Sequence, residues 1–140
     1  MKVLFDTNVI LDVLIDREPF VRDSLYLLSK VEKSEITGYV CATTITTIHH
    51  LVTKALGADQ ALRHINSLLS LFVIAPVNRL VLENALQSKF NDFEDAVLHE
   101  AARHVGAKYI VTRNSIDFKK SKLVVFEPCE LINALKTLKK

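Results

Sequence analysis

At 140 residues the chain has the length of one ordinary domain, long enough to bury a core without disulfides or a structural metal. Apolar residues make up 49% and charged residues 24%, and three glycines with three prolines leave little for linkers, which excludes a disordered or low-complexity protein. The formal charge of +2 excludes a strongly polycationic nucleic-acid binder but not a local basic patch.

Lys2–Phe5 is a short apolar run ending in Asp6-Thr7-Asn8, the pattern of a buried parallel strand followed by a turn, and it puts Asp6 at the strand's carboxyl end. Pro19 suits the first turn of a helix in which Phe20, Leu25, Leu27, Leu28 and Val31 recur at helical spacing up to Lys33. Residues 38–42 read as a second strand, after which Thr43 or Thr44 can cap a helix carrying Ile45, Ile48, Leu51 and Val52. Gly57 and Ala58 separate it from a helix with Ala61, Leu62, Ile65, Leu68 and Leu69 on one face, and a short strand at 71–74 is closed by Pro76. A helix through Leu80, Val81, Ala85 and Leu86 reaches the polar break 89–92, where Asn91 or Asp92 can cap a helix over 93–105 that Gly106 ends. Residues 108–112 and 122–126 are β-rich, and Pro128 opens a terminal helix through Leu131, Ile132, Ala134 and Leu135.

Strand and helix alternate throughout, with no repeat and no linker, so the expectation is one domain over 1–140, a three-layer α/β/α sandwich with a mostly parallel central sheet. Ligands of such sheets bind beyond the carboxyl ends of the strands. The apolar run at the N-terminus breaks at Asp6, too soon for a signal peptide, and no stretch approaches the roughly 18 apolar residues of a membrane helix. Cys41 and Cys129 fall outside any CxxC pattern and are expected to be buried thiols, which together with the missing signal points to a reduced, cytoplasmic setting.

Three acidic segments coincide with the expected rim: Asp6 after the first strand, Asp92-Phe93-Glu94-Asp95 at a helix start, and Asp117 in the loop after residues 108–112. Carboxylates converging in a partly enclosed site repel one another, and a divalent cation relieves this; hard oxygen donors favour Mg²⁺ or Mn²⁺. Each acid also has a plainer use. Asp92 at a helix start is expected to be a cap, Asp6 can form an Asx-turn, and Asp117 can be a turn residue. Only their joint placement argues for a site.

The segments Asp6-Thr7-Asn8-Val9-Ile10-Leu11-Asp12, Phe93-Glu94-Asp95-Ala96 and Ile110-Val111-Thr112-Arg113-Asn114-Ser115-Ile116-Asp117-Phe118 resemble, in order and spacing, the PIN-domain family that includes the VapC-type toxins of toxin–antitoxin pairs. The resemblance spans nearly the whole chain. It implies a mostly parallel sheet and Mg²⁺- or Mn²⁺-dependent cleavage of RNA. Carried over, it makes Asp6 and Asp95 the principal metal ligands, with Asp117 or Asn114 as the remaining site residue. Thr7 and Asn8 match the family's polar turn and would orient Asp6. The family usually carries Glu or Asp early in the helix after the second strand, where Thr47 is the best-matched position here; Glu94 or Asp12 could substitute through water, although Asp12 also fits a solvated helix residue. The resemblance further implies an antitoxin partner and a homodimer.

Arg113, Lys119, Lys120 and Lys122 bracket the Asp117 segment and can hold RNA phosphates, Arg113 best of all. His49-His50 lack the HExxH spacing and read as core or surface packing residues, and His64, His99 and His104 show no partner pattern. Two rivals remain. A phosphotransferase of the haloacid-dehalogenase kind would want a second Asp where Asn8 stands. A catalytically weakened PIN-like RNA- or protein-binding module would follow from the neutral Thr47.

Overall fold

The computed structural model describes residues 1–138. Five strands form one parallel sheet in the order β3-β2-β1-β4-β5, where β1 is Lys2–Phe5, β2 Thr37–Cys41, β3 Val73–Ala75, β4 Tyr109–Val111 and β5 Val124–Phe126. β1 is central, and its residues divide by period two: Val3 and Phe5 enter one core, Leu4 the other. The first core takes the apolar faces of α1 (Thr7–Leu14), α2 (Val21–Glu32), α3 (Ala42–Leu56), α4 (Ala58–Leu71) and α7 (Pro128–Leu138). The second takes α5 (Arg79–Gln87) and α6 (Phe93–His104), whose Ala96, Ala101 and Ala102 let the helix lie close to the sheet. The result is the expected three-layer sandwich. No helix among the described residues is long and apolar enough to cross a membrane.

Close packing fixes the sheet's position under α2. Gly38 on β2 lies where an added Cβ would stand 2.7 Å from Phe72 and 2.9 Å from Val31. Phe72 in turn meets Phe5 edge-on at 5.2 Å between centroids, an arrangement that aromatic quadrupoles favour.

Several local expectations need correction. The turn after Asp6 is instead the start of α1, an eight-residue helix that buries Val9, Ile10, Leu11 and Asp12. Pro19 precedes α2 and does not enter its first turn. Neither Thr43 nor Thr44 caps α3; both lie inside it, and Cys41 occupies the cap position without a side-chain bond to the helix backbone. β3 begins at Val73, beyond Leu71, because α4 runs through Leu71. Cys41 is buried but Cys129 is exposed at the start of α7.

The sheet order reverses around β1: the chain builds outward through β2 and β3, then returns to lay β4 against the other side of β1. The carboxyl ends of β1 and β4 therefore flank the topological switch point, where crossovers leave in opposite directions and open a crevice. Asp6 and Thr112 are the residues that follow those two strands.

Candidate active site

Asp6 caps α1, its Oδ1 accepting the Thr7 backbone N–H at 2.7 Å. Its other oxygen accepts the Thr112 hydroxyl at 2.7 Å and the Asn8 amide at 3.2 Å. Both carboxylate oxygens are thus aimed, with Asp6 only 7% exposed. Burial pushes its carboxyl above the ordinary value of 3.8 and Glu94 adds to this, while the bonds from Thr112, Thr7 and Asn8 pull it back. The Thr7 hydroxyl pairs with that of Thr44 on α3, 3.0 Å away.

Asp95 enters from α6. Asp92 caps that helix, accepting the Asp95 backbone N–H at 3.1 Å, so Asp92 is the expected cap and the Asp95 carboxyl is left for other work. It is pushed up to about 7, first by desolvation and then by the charges of Asp6, Asp92, Asp117 and Glu94. This is the strongest electrostatic sign of a site: four carboxylates oppose the ionisation of a fifth. Asp117 sits in a 3-10 turn, Ser115–Phe118, pinned by Ser115 donating to Glu127 at 2.6 Å and by the buried Phe118. Asp95, Asp117, Lys119 and Lys120 line one cavity of about 260 Å³. Asn114 is exposed at the rim, its backbone N–H held by Thr112 Oγ1 at 3.0 Å.

Two expected roles come out differently. Arg113 does not reach into the acidic cavity; its Nε donates to Asp12 at 2.6 Å, its guanidinium lies 3.9 Å over the Phe20 ring, and its backbone N–H holds Asn8 Oδ1 at 3.2 Å. Asp12 is no solvated helix residue. It is wholly buried and paired with Arg17 and Arg113. The hydroxyl of Thr47 makes no hydrogen bond among the described residues, whereas Thr44, one turn earlier, is the α3 threonine that meets Asp6's neighbour Thr7. His49 and His50 are exposed on α3. Thr112 joins the site unannounced by any acid or motif; its one sequence signal is a polar side chain ending a buried strand that pairs with Asp6's strand.

The donor set suits a hard divalent cation: carboxylate oxygens that raise one another's affinity for protons, with none of Asp6, Asp95 and Asp117 in an ion pair among the described residues. Among those residues no three His, Cys, Asp or Glu side chains already stand close enough to hold a metal together.

A parallel sheet carrying an acidic cluster at its switch point defines the class. A family model described as PIN domain matches residues 2–115, and the chain belongs to that family. It is similar to ribonuclease VapC1 of Aquifex aeolicus (strain VF5), 24% identical over 141 residues that cover 96% of this chain and 97% of that protein. Among solved structures it is similar to a toxin–antitoxin complex from Klebsiella pneumoniae (21% identity, TM-score 0.69, 90% of this chain and 97% of that chain). It is also similar to VapBC2 from Rickettsia felis bound to a promoter DNA fragment (17% identity, TM-score 0.68, 91% and 98%).

Proposed function

We propose that this chain is a divalent-metal-dependent ribonuclease and the toxin of a toxin–antitoxin pair. The observation that carries the proposal is the Asp95 carboxyl raised to about 7 beside Asp6, Asp92, Glu94 and Asp117 at the switch point of a PIN-domain fold. The ribonuclease relative and the toxin–antitoxin neighbours support the substrate and the partner.

Asp6 and Asp95 would hold Mg²⁺ or Mn²⁺, with water completing the shell, as suits a cation usually bound through one or two carboxylates plus substrate phosphate. Such a cation lowers the pKa of a coordinated water and neutralises charge developing on the cleaved phosphate. The chain's own work is positioning. Thr7, Asn8 and Thr112 fix the Asp6 carboxylate so that its oxygens need no reorganisation, as outer partners of a metal ligand do. Asp117, which acts on Asp95 through space, would be the third acid, and the exposed Asn114 just before its turn would donate to a phosphate oxygen. Glu94 raises both Asp6 and Asp95, so it supplies field where Thr47 has no charge. Lys119 and Lys120 beside the acids offset the phosphate's approach.

The neutral Thr47 favours a second reading, a binding module with weakened catalysis. Manganese-dependent cleavage of structured RNA, measured on wild type and Asp6→Asn together, separates the two. The nuclease cleaves and the variant loses at least about a hundredfold, a range expected when a group aimed at the reacting centre is removed. Equal rates in both proteins, or none in either, refute the enzyme.

A further inference from the structure

We propose that the cleft between α5, α6 and the loop joining β4 to β5 binds a single-stranded RNA nucleotide flanking the bond cut at the acidic centre, an inference that rests on the ribonuclease reading. The cleft encloses about 560 Å³, within the usual range of ligand pockets and about twice the volume of the acidic cavity. The two share Lys89, Phe90 and Lys120, so a strand can pass from one to the other along a continuous surface.

The charge of the cleft is opposite to that of the acidic centre. Lys89, Arg103, Lys120 and Lys122 line it against one carboxylate, Glu100. Glu100 is 3% exposed and already bonded to Arg103 Nη1 at 3.0 Å and His99 Nδ1 at 2.8 Å, so its charge is spent inward. Lys89, Lys120 and Lys122 are exposed and form no ion pair among the described residues. At the acidic centre Lys119 and Lys120 face several carboxylates and a cation is needed as well; in the cleft the protein supplies the countercharge itself.

The cleft is also built. His99, 2% exposed, accepts the Lys122 backbone N–H on Nε2 at 3.0 Å, which leaves the ring proton on Nδ1 facing Glu100. That bond ties the loop carrying Lys120 and Lys122 to α6. Phe90 rests on His99 at 4.8 Å and meets Phe118 edge-on at 5.6 Å, and it remains half-buried where the two cavities join. A fixed aromatic ring between unpaired cations is the arrangement on which an unpaired base stacks while its phosphates are held, and the exposed Gln87 amide stands ready for a base edge.

The test uses Lys89→Glu combined with Lys122→Glu, both at exposed side chains, with unchanged thermal unfolding confirming the fold. Binding of a fluorescein-labelled random-sequence 12-mer RNA is followed in chelator, and cleavage of total tRNA and rRNA in Mn²⁺. RNA affinity is expected to fall at least tenfold, the slope of log affinity against log salt to flatten by about 1.4, and KM to rise in parallel with kcat nearly unchanged. RNA carrying 5-iodouridine is expected to cross-link at Phe90. If wild type cleaves but the double variant keeps its affinity and KM, or cross-links map only outside the cleft, the nuclease stands and the subsite falls, leaving the cleft to a protein partner. If wild type neither binds nor cleaves RNA, both proposals fall.

Discussion

Replacing Asp12 by Asn tests the ionic knot behind the site. The Asp12 side chain has no exposure, and it receives Arg17 Nε at 2.8 Å, Arg113 Nε at 2.6 Å and Arg113 Nη2 at 3.2 Å. Removing one partner of a buried pair typically costs about 3–5 kcal/mol, because the remaining charge is left uncompensated. Two features lower that figure: the guanidinium groups keep 37% and 23% exposure and can rehydrate, and Asn still offers a carbonyl acceptor. We therefore expect Asp12→Asn to cost about 2–3 kcal/mol in urea unfolding and to lower Tm by about 6–9 °C. The loss should reach catalysis as well. Arg113 holds Asn8 through its backbone, and Asn8 and Thr112 hold Asp6, so freeing Arg113 loosens the Asp6 cradle. A fall of about tenfold in kcat is expected from misplacement of that kind. A change under about 0.5 kcal/mol with unaltered activity would refute the view that this pair braces the site.

Asp95 should make the metal-free chain less stable as pH rises. Its folded value of about 7 lies above the ordinary 3.8, so the folded state binds the extra proton between those values and loses that advantage as pH climbs through 7. Three units would correspond to about 4 kcal/mol, but Asp95 is partly exposed and screening reduces the effect to about 1–2 kcal/mol. Asp95→Asn in chelator at pH 8 should accordingly unfold at higher urea than wild type, and in Mn²⁺ it should lose cleavage; a less stable variant contradicts the electrostatic account. Gly38→Ala tests packing independently of chemistry: its Cβ would meet Phe72 and Val31 inside 3.0 Å, both side chains are buried, and the cost should be about 2 kcal/mol with activity per folded molecule retained. An unchanged urea midpoint would show that β2 and α2 separate more easily than the contacts imply.

The parts of the fold written locally in the chain could be read from it. β1 is a buried parallel strand and so an unbroken apolar run, and α6 announces itself through the Asp92 cap, three residues before the N–H it accepts. α1 could not be read the same way. Its sequence, Thr-Asn-Val-Ile-Leu-Asp-Val-Leu, spans only about two turns, and its Val9–Leu11 run, buried whole, reads as readily as the end of a buried strand and turn. The same burial hid Asp12, whose second partner Arg113 lies 101 residues away. Asn8 and Asp12 are four apart, a helical spacing that would have put both on one face had the helix been recognised. At the start of α3, threonines 43, 44, 46 and 47 look alike in sequence, and only packing selects Thr44 to meet Thr7. Arg113 looked free because nothing local marked its carboxylate partner. Of the proposed acids, Asp6 and Asp95 rested on their places after β1 and at the start of α6, and those places are where the structure puts them.

The claim on which the account turns is that Asp6 and Asp95 share a divalent ion at the junction of β1, β4 and α6. Anomalous scattering from crystals grown with Mn²⁺ addresses it directly. The account predicts a manganese peak bridged by these two carboxylates, lost in Asp6→Asn; a peak held by other residues, or none at saturating Mn²⁺, would contradict it.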